Sequence, residues 1–239
     1  MSIPTHDTTL QGRHVVITGV GRPGQAGEVV AEAFAAAGAH LHLLDRDAGI
    51  TQRAADIGPT AAPYQLDLTD LDALQAVAAR ISAASGGRLA AVLNLAGGFA
   101  MSGALSASDA TTWHRMIAIN LTTAYYVTRA FLPLVRAGGG TVLFVGSQAA
   151  LPGGKSAEMA AYVAAKAGVI ALMRAVAQEE RSHGVTANAV APSAIRTEAN
   201  LGTMGDRFPY VEREEFAAVL LQLCAPSARR ITGQVISLG

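Results

Sequence analysis

Cysteine is almost missing from this chain: Cys224 is the one thiol among 239 residues. No disulfide can form within it, which suits a reducing compartment. Charge is scarce as well. Asp, Glu, Lys and Arg make up 15% of the residues, and 18 basic side chains balance 18 acidic ones. That balance removes the electrostatic footprint expected of a protein that binds nucleic acid or an anionic membrane. The opening residues Met1 to Asp7 have neither a basic start nor an apolar run, so no secretory leader is predicted. Long hydrophobic runs are lacking too. The most apolar stretch, Leu89 to Leu105, is interrupted by Asn94, Gly97, Gly98, Ser102 and Gly103, and reads as a buried strand plus loop rather than a membrane span. No Pro/Ser-rich linker, charge block or internal repeat divides the chain. These absences predict one cytoplasmic domain over 1–239.

What is present is apolar and regular. Hydrophobic residues make up 51% of the chain, and there are 25 glycines. Short β-rich runs at His14–Ile17, Leu41–Leu44, Pro63–Leu66, Ala90–Leu93, Val142–Val145, Thr186–Val190 and Gln234–Leu238 alternate with alanine-rich segments. Helices are predicted at about 26–37, 70–84, 109–136, 157–182 and 212–223. Continuously apolar strands suit a parallel sheet covered on both faces, and the alternation predicts a doubly wound α/β fold with right-handed crossovers. Glu198–Tyr210, rich in Gly and Asn and ending in Pro-Tyr, reads as a loop of low order.

The first strand runs into Thr18-Gly19-Val20-Gly21-Arg22-Pro23-Gly24-Gln25-Ala26-Gly27. Glycines at such a turn let the backbone approach a pyrophosphate, and the following helix offers free N–H groups and its positive dipole end. Two registers are open: Gly19, Gly21 and Gly24 match G-x-G-x-x-G, whereas Gly19 with Gly27 fits a longer loop. The second strand ends at Asp45, 26 residues after Gly19, where a carboxylate can accept hydrogen bonds from ribose hydroxyls and repel a 2′-phosphate. NAD is therefore favoured over NADP, with Arg22 and Arg46 acting in the opposite sense. Asp45 as a mere cap of the turn is the bland alternative.

Tyr162 and Lys166, four residues apart, share one face of a predicted helix. A free phenol near pH ~10 is a poor base at neutral pH, and an adjacent ammonium favours the phenolate. The pair is thereby suited to acid/base work.

With these residues in order, the chain resembles the classical short-chain dehydrogenase/reductase family from about Gly12 to its end. The markers are the Thr18-Gly19 loop, Asp67-Leu68, Asn94-Leu95-Ala96-Gly97, Asn120, Ser147, Tyr162/Lys166, and Pro192 to Thr197. The resemblance implies a Rossmann-like fold and an oxidoreductase that interconverts a secondary alcohol and a ketone with NAD or NADP. It implies Tyr162 as the acid/base, Ser147 as a donor to the reacting oxygen, Lys166 on the nicotinamide ribose, and Asn120 as anchor of a water. Gly19, Arg22, Ala26, Gly27, Asp45, Arg46, Asp67, Leu68, Asn94, Ala96, Gly97, Pro192, Ile195 and Thr197 would join Tyr162 and Lys166 around the cofactor. Departures from the family pattern are Gln25 in place of the middle loop glycine, Ser193 after Pro192, a Ser147–Tyr162 spacing of 15 that is about two longer than usual, and a short substrate lid at about 198–211.

Competing readings are weaker. A serine hydrolase would want glycines flanking Ser147 at two residues on either side, where Val145 and Ala149 stand. His40 and His42 share one strand face but have no third ligand of suitable spacing, so no metal site is predicted. The alternative that retains the fold is an inactive, dinucleotide-binding regulatory homologue, motivated by Gln25 and the short lid. Phe99, Gln148 and Met159 are candidate substrate contacts, and they predict a neutral small-molecule alcohol or ketone, with a 3-oxoacyl thioester or a sugar second. The helices at about 109–136 and 157–182 carry more apolar residues than one packed face requires, and the resemblance implies that such helices pair between subunits, so a homotetramer or dimer is expected.

Overall fold

The computed structural model describes residues 10–239, so the leader reading of Met1 to Asp7 lies outside the described residues. Seven strands form one parallel sheet: β1 (His14–Thr18), β2 (His40–Asp45), β3 (Ala61–Gln65), β4 (Ala91–Asn94), β5 (Thr141–Val145), β6 (Thr186–Pro192) and β7 (Val235–Leu238). Their spatial order is β3-β2-β1-β4-β5-β6-β7. The strand order reverses between β1 and β4, and the loops leaving these two strands part there, opening the crevice that doubly wound sheets use for ligands.

The interior strands read as predicted, with β4 and β6 buried along their whole length. The edges differ. In β3, Ala-Ala-Pro-Tyr-Gln, only Tyr64 is buried, and Pro63, which lacks an N–H, is tolerated because an edge strand needs no second ladder. Strand β7 is likewise only partly covered.

Helices α1 (Ala26–Ala36), α2 (Ile50–Ile57) and α8 (Arg213–Cys224) cover one face, where Val30, Phe34, Ile50 and Phe216 meet Val15, Ile17 and Leu43. Helices α3 (Leu71–Ala84), α5 (Thr123–Gly138) and α6 (Ala160–Glu179) cover the other, where Leu74, Ile81, Phe131 and Met173 meet Val16, Val142 and Phe144. Phe34, Phe131, Phe144 and Phe216 are fully buried, each worth roughly 1.5–3 kcal/mol of transfer free energy. Helix α1 ends in a Schellman turn: Ala39 N–H donates to Phe34 O at 3.1 Å while Gly38 takes φ +86°. Asp70 starts α3 by accepting the Ala73 N–H at 3.0 Å.

Two elements escaped the sequence reading. Helix α2 is one, because its eight residues hold just two buried side chains, Ile50 and Ala54, too few for a visible period. The other is α7 (Glu198–Met204), inside the segment read as a loop. Thr197 caps it by accepting the Asn200 N–H at 3.2 Å, and the Tyr210 hydroxyl donates to Asn200 O at 3.1 Å and Gly205 O at 2.6 Å. Side-chain bonds from Thr197 and Tyr210 thus help order a seven-residue helix whose Asn, Gly and Thr masked it in the sequence. The predicted helix 109–136 is also not one helix: α4 (Ala110–Met116) passes through a π-helical turn, Ile117–Thr122, into α5.

Helix α6 is long and apolar enough to cross a membrane, but it packs on the sheet, burying Val169, Ile170, Met173 and Val176. Burial of Cys224 pushes its thiol up to about 12, leaving it unionised at neutral pH.

Candidate active site

The loops leaving β1 and β4 are tied together by Thr18. Its buried Oγ1 donates to Leu93 O at 3.3 Å and accepts from Leu95 N–H at 3.1 Å and Ala96 N–H at 3.0 Å. The sequence reading used Thr18 only as a marker; this hydroxyl positions the whole floor of the crevice. Gly19 beside it has φ +79°, and a Cβ there would fall 2.8 Å from Ala96 N.

The glycine loop resolves the two registers. Gly24, at φ +68°, takes the left-handed turn, while Gln25 sits one residue later in extended backbone as the N-cap of α1. Gln25, two residues before Gly27, holds the position compared with the family's middle glycine, and its extended backbone suits a side chain there. A Cβ on Gly27 would fall 2.1 Å from Gly19 O, so the start of α1 packs directly on the end of β1, and Ala26 precedes it as the first helical residue. Asp45 holds the loop from the other side: Oδ2 accepts from Gly21 N–H at 2.9 Å, and Oδ1 from Asp47 N–H at 2.9 Å. Arg22 and Arg46 are exposed beside it. Asp67 accepts from Thr69 N–H at 2.8 Å and Thr69 Oγ1 at 2.7 Å, and those bonds hold its pKa below the usual carboxylate value. Leu68 is buried next to it.

Asn94 faces inward. Its Nδ2 donates to Thr128 Oγ1 at 3.2 Å and Leu143 O at 3.4 Å, so it fixes β4 to α5 and β5, while its buried Oδ1 has no partner. Ala96 and Gly97 form the floor beyond it. A Cβ on Gly97 would lie 2.6 Å from Asn120 Oδ1 and 3.5 Å from Lys166 Nζ, which requires glycine there.

The π-helical turn explains how Asn120 reaches that floor. Its Nδ2 donates to Met116 O at 3.0 Å and Gly98 O at 3.0 Å, and its Oδ1 accepts from Gly98 N–H at 3.1 Å. An amide that bonds the carbonyl four residues back accompanies the widened turn. Asn120 is 1% exposed, with both polar atoms used.

Ser147 follows β5 and caps a short turn, its Oγ accepting from Ala149 N–H at 3.3 Å. Tyr162 and Lys166 lie on one face of α6, with Lys166 Nζ 5.9 Å from the Tyr162 ring centre. Lys166 is 7% exposed and donates to Val145 O at 2.9 Å; burial lowers its pKa to about 8. The predicted depression of the phenol by the neighbouring ammonium is not found in this geometry. Burial raises the Tyr162 pKa, and a hydrogen bond with Ser147 opposes the rise. The physical reason is that desolvation disfavours the charged phenolate.

Pro192 ends β6, Ile195 O accepts from Asn200 Nδ2 at 2.8 Å, and Thr197 starts α7. Phe99 packs edge-on against Tyr162 with ring centres 5.0 Å apart, leaving it 47% exposed at the mouth. Met159 is the N-cap of α6. Gln148 points elsewhere: its Nε2 donates to Leu238 O at 2.9 Å and Gly239 O at 2.6 Å, which joins the Ser147 turn to β7.

The glycine cradle at Gly19, Gly24 and Gly27, the carboxylate at the end of β2 and the bare floor at Gly97 fit a dinucleotide. The half-buried tyrosine and buried lysine fit acid/base chemistry at its far end. A second polar cluster lies at the opposite, N-terminal end of the strands. His14 joins the His40/His42 pair: the His14 and His40 ring centres are 5.1 Å apart, and His14 Nδ1 is 3.0 Å from His42 Nε2. His14 was missed because the contact exists only once β1 and β2 are paired. Among the described residues no group of His, Cys, Asp or Glu is arranged to hold a metal ion.

Comparison with known proteins agrees with this geometry. A family model described as short chain dehydrogenase matches residues 13–204. The chain is 33% identical to galactitol 2-dehydrogenase (L-tagatose-forming) of Cereibacter sphaeroides, over 96% of this chain and 94% of that protein. It is 35% identical to an inactive 2-(S)-hydroxypropyl-CoM dehydrogenase 2 of Xanthobacter autotrophicus, over 70% of this chain and 71% of that one. Its fold matches 3-ketoacyl-(acyl-carrier-protein) reductase of Brucella melitensis complexed with NADH, with a TM-score of 0.87 and 26% identity over 95% of this chain and 97% of that chain. The chain belongs to the short-chain dehydrogenase family, a family of NAD(P)-dependent oxidoreductases acting on alcohol and ketone groups.

Proposed function

We propose that this protein interconverts a neutral secondary alcohol and its ketone, with NAD as the favoured cofactor. The observation that carries the reading is that Asn120 and Lys166 meet at the Gly97–Gly98 floor while Tyr162 lies beside Lys166 and hydrogen-bonds Ser147, with Asn120, Ser147 and Lys166 each no more than 7% exposed. Asp45 supports NAD, since its carboxylate at the end of β2 would repel a 2′-phosphate. Gly19, Ala26 and Gly27 would hold the pyrophosphate side, Asp67 and Leu68 the adenine side, and Pro192, Ile195 and Thr197 the nicotinamide side.

The bound cofactor supplies the hydride. In the reducing direction the ketone carbon gains that hydride, and its oxygen gains the Tyr162 phenolic proton. Ser147 Oγ–H would donate to the same oxygen, and donors aimed at developing negative charge lower the barrier. The raised pKa of Tyr162 keeps it protonated at neutral pH, the form needed for reduction. The Lys166 ammonium would serve on the nicotinamide ribose, and Asn120 fixes the floor against which Lys166 rests.

The relatives that act on galactitol support a polyol as one class of substrate. The apolar mouth, with Phe99 47% and Met101 51% exposed, favours a less polar ketone. The segment 198–211 with α7 would act as the lid. The outer faces of α5 and α6 enclose a groove of about 310 Å³, consistent with helix pairing in a homotetramer or dimer, and the single cysteine suits a reducing compartment such as the cytoplasm.

Calorimetric titration with NADH and NADPH, followed by an alcohol and ketone screen with Tyr162→Phe as control, tests the reading. Binding of NADH with turnover abolished in Tyr162→Phe is the expected result. Cofactor binding without turnover of any alcohol or ketone would favour the regulatory alternative, which the inactive relative keeps open.

A further inference from the structure

Two carboxylates flank the glycine turn, and only one of them is neutralised. Gly24 N–H donates to Glu28 Oε2 at 2.7 Å, and Glu28 is paired with Arg53 at 2.9 Å and Arg213 at 3.8 Å. Glu198, the first residue of α7, approaches Gly24 from the opposite side. Its N–H donates to Gly24 O at 3.1 Å. Its carboxyl group fills the space a side chain on Gly24 would need, with Oε1 2.7 Å from the Cβ position. Among the described residues no Lys, Arg or His forms an ion pair with Glu198.

We infer that Glu198 is an electrostatic gate on cofactor entry: its uncompensated carboxylate lies against the turn that a pyrophosphate must approach, and it weakens dinucleotide binding until α7 releases Gly24. This rests on the dinucleotide reading above. Repulsion between an exposed carboxylate and a pyrophosphate is screened by salt, so removing the charge tightens binding roughly fivefold at low ionic strength. The gate would also couple the lid to the phosphate seat, because one residue carries both the backbone bond to Gly24 and the charge.

The test is fluorescence titration of NADH into the wild type, Glu198→Gln and Glu198→Ala, with adenosine as a ligand that lacks phosphate. The expected result is NADH affinity about fivefold higher in both variants, shrinking as salt is added, with adenosine affinity unchanged. Equal or weaker NADH binding by both variants overturns the gate, as does a gain that adenosine shares, since that would reflect space rather than charge. Failure of every form to bind NADH or NADPH overturns the dinucleotide reading and the gate together.

Discussion

Acid should weaken this fold through one buried imidazole. His42 is 4% exposed, held between His14 Nδ1 at 3.0 Å and the Tyr64 hydroxyl at 3.3 Å. Its pKa falls from 6.5 to about 4, chiefly through burial and then through His14 and His40. The other charged group nearby, Arg80, stacks over Tyr64 with its guanidinium 5.1 Å from the ring centre and adds no favourable partner for a cation. Between these two values the unfolded chain binds a proton that the folded protein refuses. The stability His42 contributes is complete above about pH 6.5 and is lost as pH falls toward about 4. Linkage gives a loss of about 2 kcal/mol on going from about pH 7.5 to about pH 5. Urea unfolding followed by circular dichroism at both values would measure it. Glutamine can donate and accept at the same position without titrating, so His42→Gln should lose much less over that interval. Equal losses in wild type and His42→Gln would refute the argument.

Other perturbations follow from distances at the crevice. Gly27→Ala puts a methyl group 2.1 Å from Gly19 O; the start of α1 must move, costing about 1–3 kcal/mol in unfolding measurements and weakening NADH binding. Asp45→Ser should shift the NADPH-to-NADH affinity ratio upward, read by parallel titrations, because the repulsive charge disappears beside Arg22 and Arg46; an unchanged ratio would remove Asp45 as selector. Tyr162→Phe should lower turnover by about 100-fold or more with NADH affinity kept, and light scattering should give a mass near four or two chains.

The alternation of strands and helices was legible in the sequence because interior strands buried on both faces must be continuously apolar, as Ala91–Asn94 and Thr186–Pro192 are. The glycine loop, Asp45 and Tyr162/Lys166 could be singled out in the sequence as candidates because backbone approach, ribose recognition and acid/base work would each demand particular residue types at fixed spacing. Other features required the folded chain. Which glycine makes the turn depended on where α1 begins, and that start is set by Gly27 packing on Gly19. Asn94 and Gln148 carry amides suited to a ligand, yet tertiary neighbours take the Nδ2 of one and the Nε2 of the other. The phenol of Tyr162 was expected to be acidified by Lys166, but its burial raises the pKa instead. His14 and Glu198 stand far in sequence from the groups they meet. Local pattern thus determined the elements and the kinds of chemistry available, whereas strand pairing and burial decided which polar atoms stay free and at what charge.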